Sequence, residues 1–277
     1  MSTVRGGWEL PISEGQLVRL TGEMDDAHRA TLPAMHASAV DLTEQITERA
    51  TADGAMAERR ADVGRRRFLL GAGGVGAAFV LAACSGKGSS LDTGDVAASA
   101  SASSSSSSSQ YTGDLQIVAL AVALENQAVG AYQAALTAAK AGKLGSVPPA
   151  VASFVTTAMA QHQQHADVWN AVLTGAGKPA IKDVPLSDQK SVTAALGKAT
   201  SVTDVAKLAL QLEDQAAQTY LFATYNVKST AGINTAATIA PVEAMHAAIL
   251  HFVLGQYPVP DDFLPVDMAA KPSLLTV

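Results

Sequence analysis

Glutamate is scarce in the C-terminal two thirds of the chain, although it is a favoured residue of surface helices. Only three glutamates follow residue 84, and they are Glu125, Glu213 and Glu243. Glu125 and Glu213 stand among alanine, leucine and valine, in stretches that should face the interior of a helical bundle. A buried carboxylate without a partner costs several kcal/mol, and a bound cation removes that cost.

Histidines accompany these glutamates at helical spacing. His162 and His165 are three residues apart, and so are Glu243 and His246, whereas His251 lies outside this pattern. Residues at i and i+3 project from one face of a helix, so each pair can direct two ligands toward a common point. Carboxylate and imidazole together suit iron, manganese or zinc, and the six residues therefore predict a metal site. The alternative is a polar network in a bundle that has lost its metal.

The first two glutamates belong to an internal repeat. The stretch LENQAVGAY at 124–132 returns as LEDQAAQTY at 212–220, and each copy is followed by one of the histidine-bearing stretches. Tyr132 and Tyr220 come seven residues after their glutamates, on the same helix face two turns later. These tyrosines either donate hydrogen bonds behind the metal ligands or are core residues whose hydroxyls are satisfied elsewhere.

Four long helical patterns position these residues, at 114–141, 150–174, 201–226 and 234–254. Glycine and proline at 142–149 and 175–179 mark turns, and the last pattern has Pro241 inside it or at its start. Ser201 with Asp204 has the spacing of a helix cap, and a short helix is predicted within the long connection, at 187–198. Two short turns and one long middle connection predict an all-α four-helix bundle with a crossover.

One glutamate from each of two helices and a Glu-x-x-His motif from each of the other two is the ligand pattern of ferritin-like di-iron and di-manganese proteins. Residues 114–265 resemble that superfamily, and are most like the bacterial extracytoplasmic ferritin-like domains that include desiccation-related proteins. The resemblance implies a ferritin-like bundle with a long connection between its second and third helices. It also implies one or two iron or manganese ions, held by Glu125, His165, Glu213, Glu243 and His246.

His162 departs from the family pattern, because it stands where the family has glutamate. A glutamate can bridge two metals through its two oxygens, whereas a neutral imidazole offers one lone pair to a single metal. Only Glu243 remains as a bridging carboxylate of the motif type. The predicted centre is therefore either an asymmetric pair of metals or a single metal.

Residues 64–84 resemble an export signal. The arginines of RRRFLL at 65–70 resemble a twin-arginine motif, and the apolar run at 68–83 is short for a membrane span. Gly64 and Leu70 depart from the commonest form of that motif. LAAC at 81–84 looks like a lipobox, which predicts that Cys84 is lipidated and tethers an extracytoplasmic protein to the cell membrane. The alternative is a short uncleaved anchor.

The signal divides the chain. Residues 1–63 are interpreted as a helical or partly disordered cytoplasmic leader, unless the true start is Met56, and its ragged apolar face includes Met35 and Val40. His28 and His36 within it are expected to be ordinary surface residues. Residues 85–113 form a linker rich in serine and alanine, and residues 114–277 form the bundle with an irregular C-terminal strap.

Composition excludes other classes. After residue 84 there are ten lysines, no arginine and fourteen acidic residues, which is not the basic surface of a nucleic-acid-binding domain. The single cysteine excludes an intramolecular disulfide framework and a cysteine-rich metal site.

Two functions remain. The first is an exported, membrane-tethered protein that binds one or two iron or manganese ions and oxidises ferrous iron or reduces peroxide or oxygen. The second is a non-catalytic envelope lipoprotein whose bundle is structural, sequesters metal or binds a partner.

Overall fold

The computed structural model describes residues 9–71, 110–259 and 265–277. The described residues form six α-helices and one short 3-10 helix, with no strand among them. The α-helices are α1 (Glu14–Gly71), α2 (Asp114–Lys140), α3 (Pro149–Gly175), α4 (Gln189–Lys198), α5 (Val202–Asn226) and α6 (Thr230–Val253). Cys84, the lipobox and most of the predicted linker lie outside the described residues.

Four of these helices make the bundle. α2 packs against α3 and α5 packs against α6, so each half is a helical hairpin, and α2 also contacts α5. The connection from α3 to α5 contains α4, which lies against α2 and α5. The predicted four-helix bundle with a long crossover is confirmed, and the short helix within the crossover is present.

Helix ends follow the turn and capping residues. Gly142 adopts φ 72° just after α2, and the Lys143 N–H then donates to the Ala138 carbonyl at 3.0 Å. Ser201 caps α5 by accepting from the Asp204 N–H at 3.1 Å, as its spacing predicts. α6 begins four residues earlier than expected, at Thr230, so Pro241 lies inside the helix rather than at its start.

The first part of α1 packs against the bundle. Of the described residues, those up to Arg49 and those from Gln110 onward belong to one compact unit. Leu17, Met24, Met35 and Leu42 are fully buried at spacings of seven, eleven and seven residues, which keep them on one helix face, and they join the hydrophobic cores that include α3 and α6. The predicted apolar face of this helix was wrong in one respect. Val40 is exposed, and the stripe of buried residues begins further upstream, at Leu17.

Two bundle helices, α2 and α6, are long and apolar enough to cross a membrane by length and composition. More than half of the apolar window of each is buried inside the bundle. That burial is what central helices of a bundle require, since they face neighbours on most sides.

Candidate metal centre

The structure brings all six predicted ligands together at the centre of the bundle. Each helix contributes from its inward face, and every one of the six side chains is no more than 2% exposed. The set comprises Glu125 on α2, His162 and His165 on α3, Glu213 on α5, and Glu243 and His246 on α6. The three-residue spacing of the paired ligands does place both members on one face, as expected.

Two groups of four ligands can each hold a metal ion, with donor atoms within 4.8 Å of one another. One group is Glu125, His162, His165 and Glu243, and the other is His162, Glu213, Glu243 and His246. His162 and Glu243 belong to both groups. The arrangement is therefore two overlapping donor sets rather than six ligands around one point.

Glu243 divides its two oxygens between the sets. Its Oε1 lies 2.8 Å from His165 Nδ1, and its Oε2 lies 3.2 Å from His246 Nδ1. Neither His165 nitrogen nor Glu243 Oε1 has a hydrogen-bond partner of acceptable geometry among the described residues. Buried polar atoms are normally satisfied, so His165 Nδ1 and Glu243 Oε1, which lie 2.8 Å apart, are ligand atoms that a bound cation would satisfy.

His162 lies between the other two carboxylates. Its Nδ1 is 2.7 Å from Glu125 Oε2, and its Nε2 is 3.1 Å from Glu213 Oε1. The ring thus turns one nitrogen toward each donor set. A glutamate at this position would turn oxygens toward both sets, so the histidine preserves the two-sided contact but with fewer lone pairs.

The tyrosine hydroxyls contact the ligands, and they do so across the bundle. Tyr132 on α2 donates to Glu213 on α5, and Tyr220 on α5 donates to Glu125 on α2. α2 and α5 run antiparallel, so a tyrosine two turns after one glutamate lies beside the glutamate of the opposite helix. Trp169 Nε1 donates to the Tyr220 hydroxyl at 2.9 Å and extends this network.

Charge pairing dominates the electrostatics of the site. Burial raises the pKa of Glu125, but His165 and His162 outweigh burial and lower the pKa to about 2. The pKa of Glu213 is well below its ordinary value because His162 and His246 outweigh its burial. Burial lowers the pKa of His165, but Glu125 and Glu243 outweigh burial and raise the pKa to about 9.

The pKa values of the other two histidines move in the same direction. Burial opposes the charged form of His162, yet Glu243 and Glu213 raise its pKa well above the ordinary value. Glu213 has the corresponding effect on His246 and raises its pKa despite burial. Without metal, the centre is therefore a set of buried carboxylate and imidazolium pairs.

Sequence reasoning missed the contacts of four residues around the site, which are Trp169, Gln161, Asp25 and His28. Gln161 accepts a hydrogen bond from His246 Nε2 at 2.8 Å, and its amide nitrogen donates to Asp25 of α1 at 3.1 Å. The expectation that His28 lies at the surface was wrong, since it is 1% exposed and its ring centroid lies 5.1 Å from that of His165. Burial and the neighbouring His165 lower the pKa of His28 to about 4.

Only one of these four carried a usable signal. Trp169 follows His162 by seven residues, which is the same spacing that relates each tyrosine to its glutamate. Gln161, Asp25 and His28 are residue types that usually face solvent, and nothing in their spacing marks them. The prediction for His36 is confirmed, since it is exposed, and His251 lies outside both donor sets.

A narrow cavity reaches the site from the α2, α4 and α5 side. Its volume is about 10 Å³, and its lining includes Glu213 and Tyr132. A larger surface cavity of about 500 Å³ lies between α2 and α4 and shares part of that lining, including Ala131 and Leu196. The larger cavity does not itself touch the ligands, so only molecules near the size of water fit the inner one.

Comparison with known proteins agrees with this fold. A family model described as a ferritin-like domain matches residues 113–256, which span the four bundle helices and all six candidate ligands. No curated protein and no solved structure matches the chain. Since the family match covers more than half of the chain, the protein belongs to the ferritin-like domain family.

Proposed function

We propose that the chain binds two transition-metal ions, iron or manganese, in the two overlapping donor sets, and uses them for redox chemistry. The observation that carries the proposal is the division of the Glu243 oxygens, one toward Glu125 and His165 and the other toward Glu213 and His246. A carboxylate in that position can serve both ions. Mixed carboxylate and imidazole donors fit iron and manganese.

The bound metals would supply one-electron chemistry for oxidising ferrous iron or reducing oxygen or peroxide. The protein supplies a site that is buried from solvent. The Tyr132 hydroxyl donates to one oxygen of Glu213, and the Tyr220 hydroxyl donates to one oxygen of Glu125. The remaining lone pairs of each carboxylate are left to face the centre. The inner cavity beside Glu213 limits access to small reactants such as oxygen, peroxide or a single ion.

Metal stoichiometry tests this proposal directly. After anaerobic loading with ferrous iron, elemental analysis is expected to give two equivalents per chain, and a Glu125→Ala, Glu213→Ala double variant is expected to lose both. Each substitution removes a buried carboxylate from one donor set. An Asp167→Ala variant, altered at an exposed carboxylate of α3, is the matched control and should bind like the unaltered chain.

A second candidate is metal sequestration without turnover, in a non-catalytic envelope protein. The complete burial of the ligands and the narrowness of the inner cavity favour it, because both restrict substrate access. Iron-dependent consumption of oxygen or peroxide by the loaded chain, lost in the double variant, would support the redox function. Two bound equivalents without consumption of either oxidant would support sequestration, and no specific binding would contradict both.

The pairing of charges predicts that the stability of the fold depends on pH in opposite directions with and without metal. A raised histidine pKa contributes to the free energy of unfolding below its ordinary value of 6.5, and the contribution is lost as pH rises through the folded value, about 9 for His165. A lowered glutamate pKa contributes above its ordinary value of 4.5, and the contribution is lost as pH falls through about 2 for Glu125.

The melting temperature in EDTA is therefore expected to fall between pH 6.5 and pH 9. With saturating manganese it should instead rise relative to the EDTA sample over the same interval, because metal and protons compete for the imidazoles. Scanning calorimetry at constant ionic strength measures both curves. Parallel curves would show that the histidines do not exchange protons for metal.

We also propose that the chain is an exported lipoprotein, tethered to the membrane through Cys84. The support is the sequence at 65–84, where paired arginines, an apolar run and a lipobox follow one another at compatible spacing. A Cys84→Ser chain is expected to leave the membrane fraction and to lose incorporation of labelled fatty acid. Unchanged fractionation and labelling would contradict the lipid tether.

A further inference from the structure

The N-terminal part of α1 follows the bundle over most of its length. Its buried stripe is accompanied by polar contacts at both ends and in the middle, and together they reach α2, α3 and the N-terminal end of α6. They are Glu14 Oε2 with the Ala150 N–H at 3.2 Å, Ser38 Oγ with Thr235 Oγ1 at 2.7 Å, Gln45 Oε1 with Ser229 Oγ at 2.6 Å, and Arg49 with Asp114 at 3.5 Å. Apolar burial and specific polar contacts together describe a docked helix.

Asp25 of this helix is linked to a candidate metal ligand. Arg29 lies 2.5 Å from one Asp25 oxygen, and the other oxygen accepts from the Gln161 amide nitrogen at 3.1 Å. A carboxylate can only accept, so the Gln161 carbonyl oxygen must face His246. That oxygen lies 2.8 Å from His246 Nε2, which must therefore carry the hydrogen.

The orientation of His246 follows from this hydrogen bond. With its hydrogen on Nε2, the neutral ring presents the lone pair of Nδ1, which lies 3.2 Å from an oxygen of Glu213 and of Glu243. The lone pair therefore points into the second donor set. If the Gln161 amide reversed, its NH2 group would face Nε2 and favour the other tautomer, whose Nδ1 cannot bind metal.

We infer that the N-terminal part of α1 supports the metal centre in two ways. Asp25 acts through Gln161 to hold His246 in its metal-binding tautomer, and His28 covers His165. Asp25 and Gln161 are positioning residues. His28 is fully buried with its Nε2 lacking a hydrogen-bond partner among the described residues, and its ring lies edge-on to His165. The part of the inference that is measured with metal rests on the proposed function, whereas the docking of α1 does not.

Cobalt(II) binding to the full chain tests the role of Asp25. Asp25→Ala is expected to weaken cobalt affinity about 10–100-fold, which is typical when a partner of a metal-ligating histidine is removed. Asp25→Asn retains an acceptor for the Gln161 amide and should bind within a few-fold of the unaltered chain. Asp26→Ala alters the exposed neighbour and should have no effect on affinity or on the visible spectrum of bound cobalt.

A second substitution separates positioning from structural support. Glutamate at position 161 can only accept from His246 Nε2, so Gln161→Glu in the Asp25→Ala chain should restore both cobalt affinity and spectrum. A purely structural role for Asp25 would not be rescued in this way. Wild-type affinity in Asp25→Ala, or failure of the rescue in a folded double variant, would overturn the role of Asp25.

His28 is tested by the rate at which cobalt leaves. Dissociation into excess EDTA is expected to accelerate in His28→Ala, because the wall over His165 is opened. His36→Ala, which removes an exposed histidine from the same helix, is the matched control. Equal dissociation rates in both variants would contradict the covering role.

Docking is measured without metal. A protease site that replaces the serine run at 103–109 lets the purified full chain be cut between α1 and α2. The N-terminal fragment is expected to remain with the bundle through size-exclusion chromatography in EDTA. Separation of the two fragments would overturn the inference, whereas co-elution with no cobalt binding by the uncut chain would overturn the proposed function and the metal roles of Asp25 and His28, and would leave the docking of α1 standing.

Discussion

Replacing Glu243 with glutamine is expected to abolish metal binding in both donor sets, while loss of Glu125 or Glu213 removes one ion each. Glu243 is the carboxylate common to both sets, with one oxygen directed to each. Glutamine keeps the shape of the side chain but removes its charge and replaces one oxygen with an NH2 group that cannot bind a cation. Removing a direct ligand should weaken affinity by well over the roughly 10–100-fold typical of an indirect partner.

Elemental analysis of anaerobically loaded chains gives a distinctive pattern. The unaltered chain should contain two equivalents, Glu125→Gln and Glu213→Gln one each, and Glu243→Gln none. An Asp167→Asn chain, neutralised at an exposed position of α3, controls for loss of charge as such. Retention of one equivalent by Glu243→Gln would contradict the sharing of this residue and show that it serves only one of the two ions.

Replacing His162 with glutamate is expected to make folding depend on metal. His162 lies within 3.7 Å of all three carboxylates, which keep its imidazolium form stable. Glutamate would put a fourth negative charge in a fully buried place, in exchange for a positive one. Breaking a buried ion pair by removing one partner costs about 3–5 kcal/mol, so the free energy of unfolding in EDTA should fall by at least that range.

With metal bound, the effect of His162→Glu on the free energy of unfolding is expected to reverse. Four carboxylates balance the charge of two divalent ions, and the family's carboxylate is restored at position 162. Urea unfolding of His162→Glu is therefore expected to show a much larger stabilisation by manganese than the unaltered chain. His162→Gln, which is uncharged and of moderate size, is the control for loss of the histidine itself. Equal metal stabilisation of His162→Glu and the unaltered chain would contradict the role assigned to this position.

The six candidate ligands and the bundle were predictable because their signals are local. Glu125 and Glu213 are unusual in apolar helices, and Glu243 with His246 has the spacing of a single helix face. The turns between helices are marked by glycine and proline, so the bounds of α2, α3 and α5 were nearly correct. These features depend on residues close together in sequence.

What could not be predicted depends on contacts between distant segments. The tyrosine hydroxyls reach the glutamates of the opposite helix, which follows from the register of α2 against α5 rather than from either repeat alone. Asp25 and Gln161 are 136 residues apart, and each is a residue type that is usually found at the surface. The buried stripe of α1 was visible only as spacing, and spacing does not say which surface it covers.

The predicted cleavage point, before Cys84, lies between α1 and α2 in the sequence. Cleavage there would turn the docking of α1 from a contact within one chain into binding between two separate chains. In the intact chain α1 and the bundle belong to one polypeptide, so they meet at an effective concentration that the length of the intervening chain sets, not at the cellular concentration of the protein. After cleavage the same contacts would have to hold two separate chains at cellular concentration. A modest affinity would then suffice before cleavage and fail after it, so that cleavage at the predicted lipobox would itself release His246 and uncover His165.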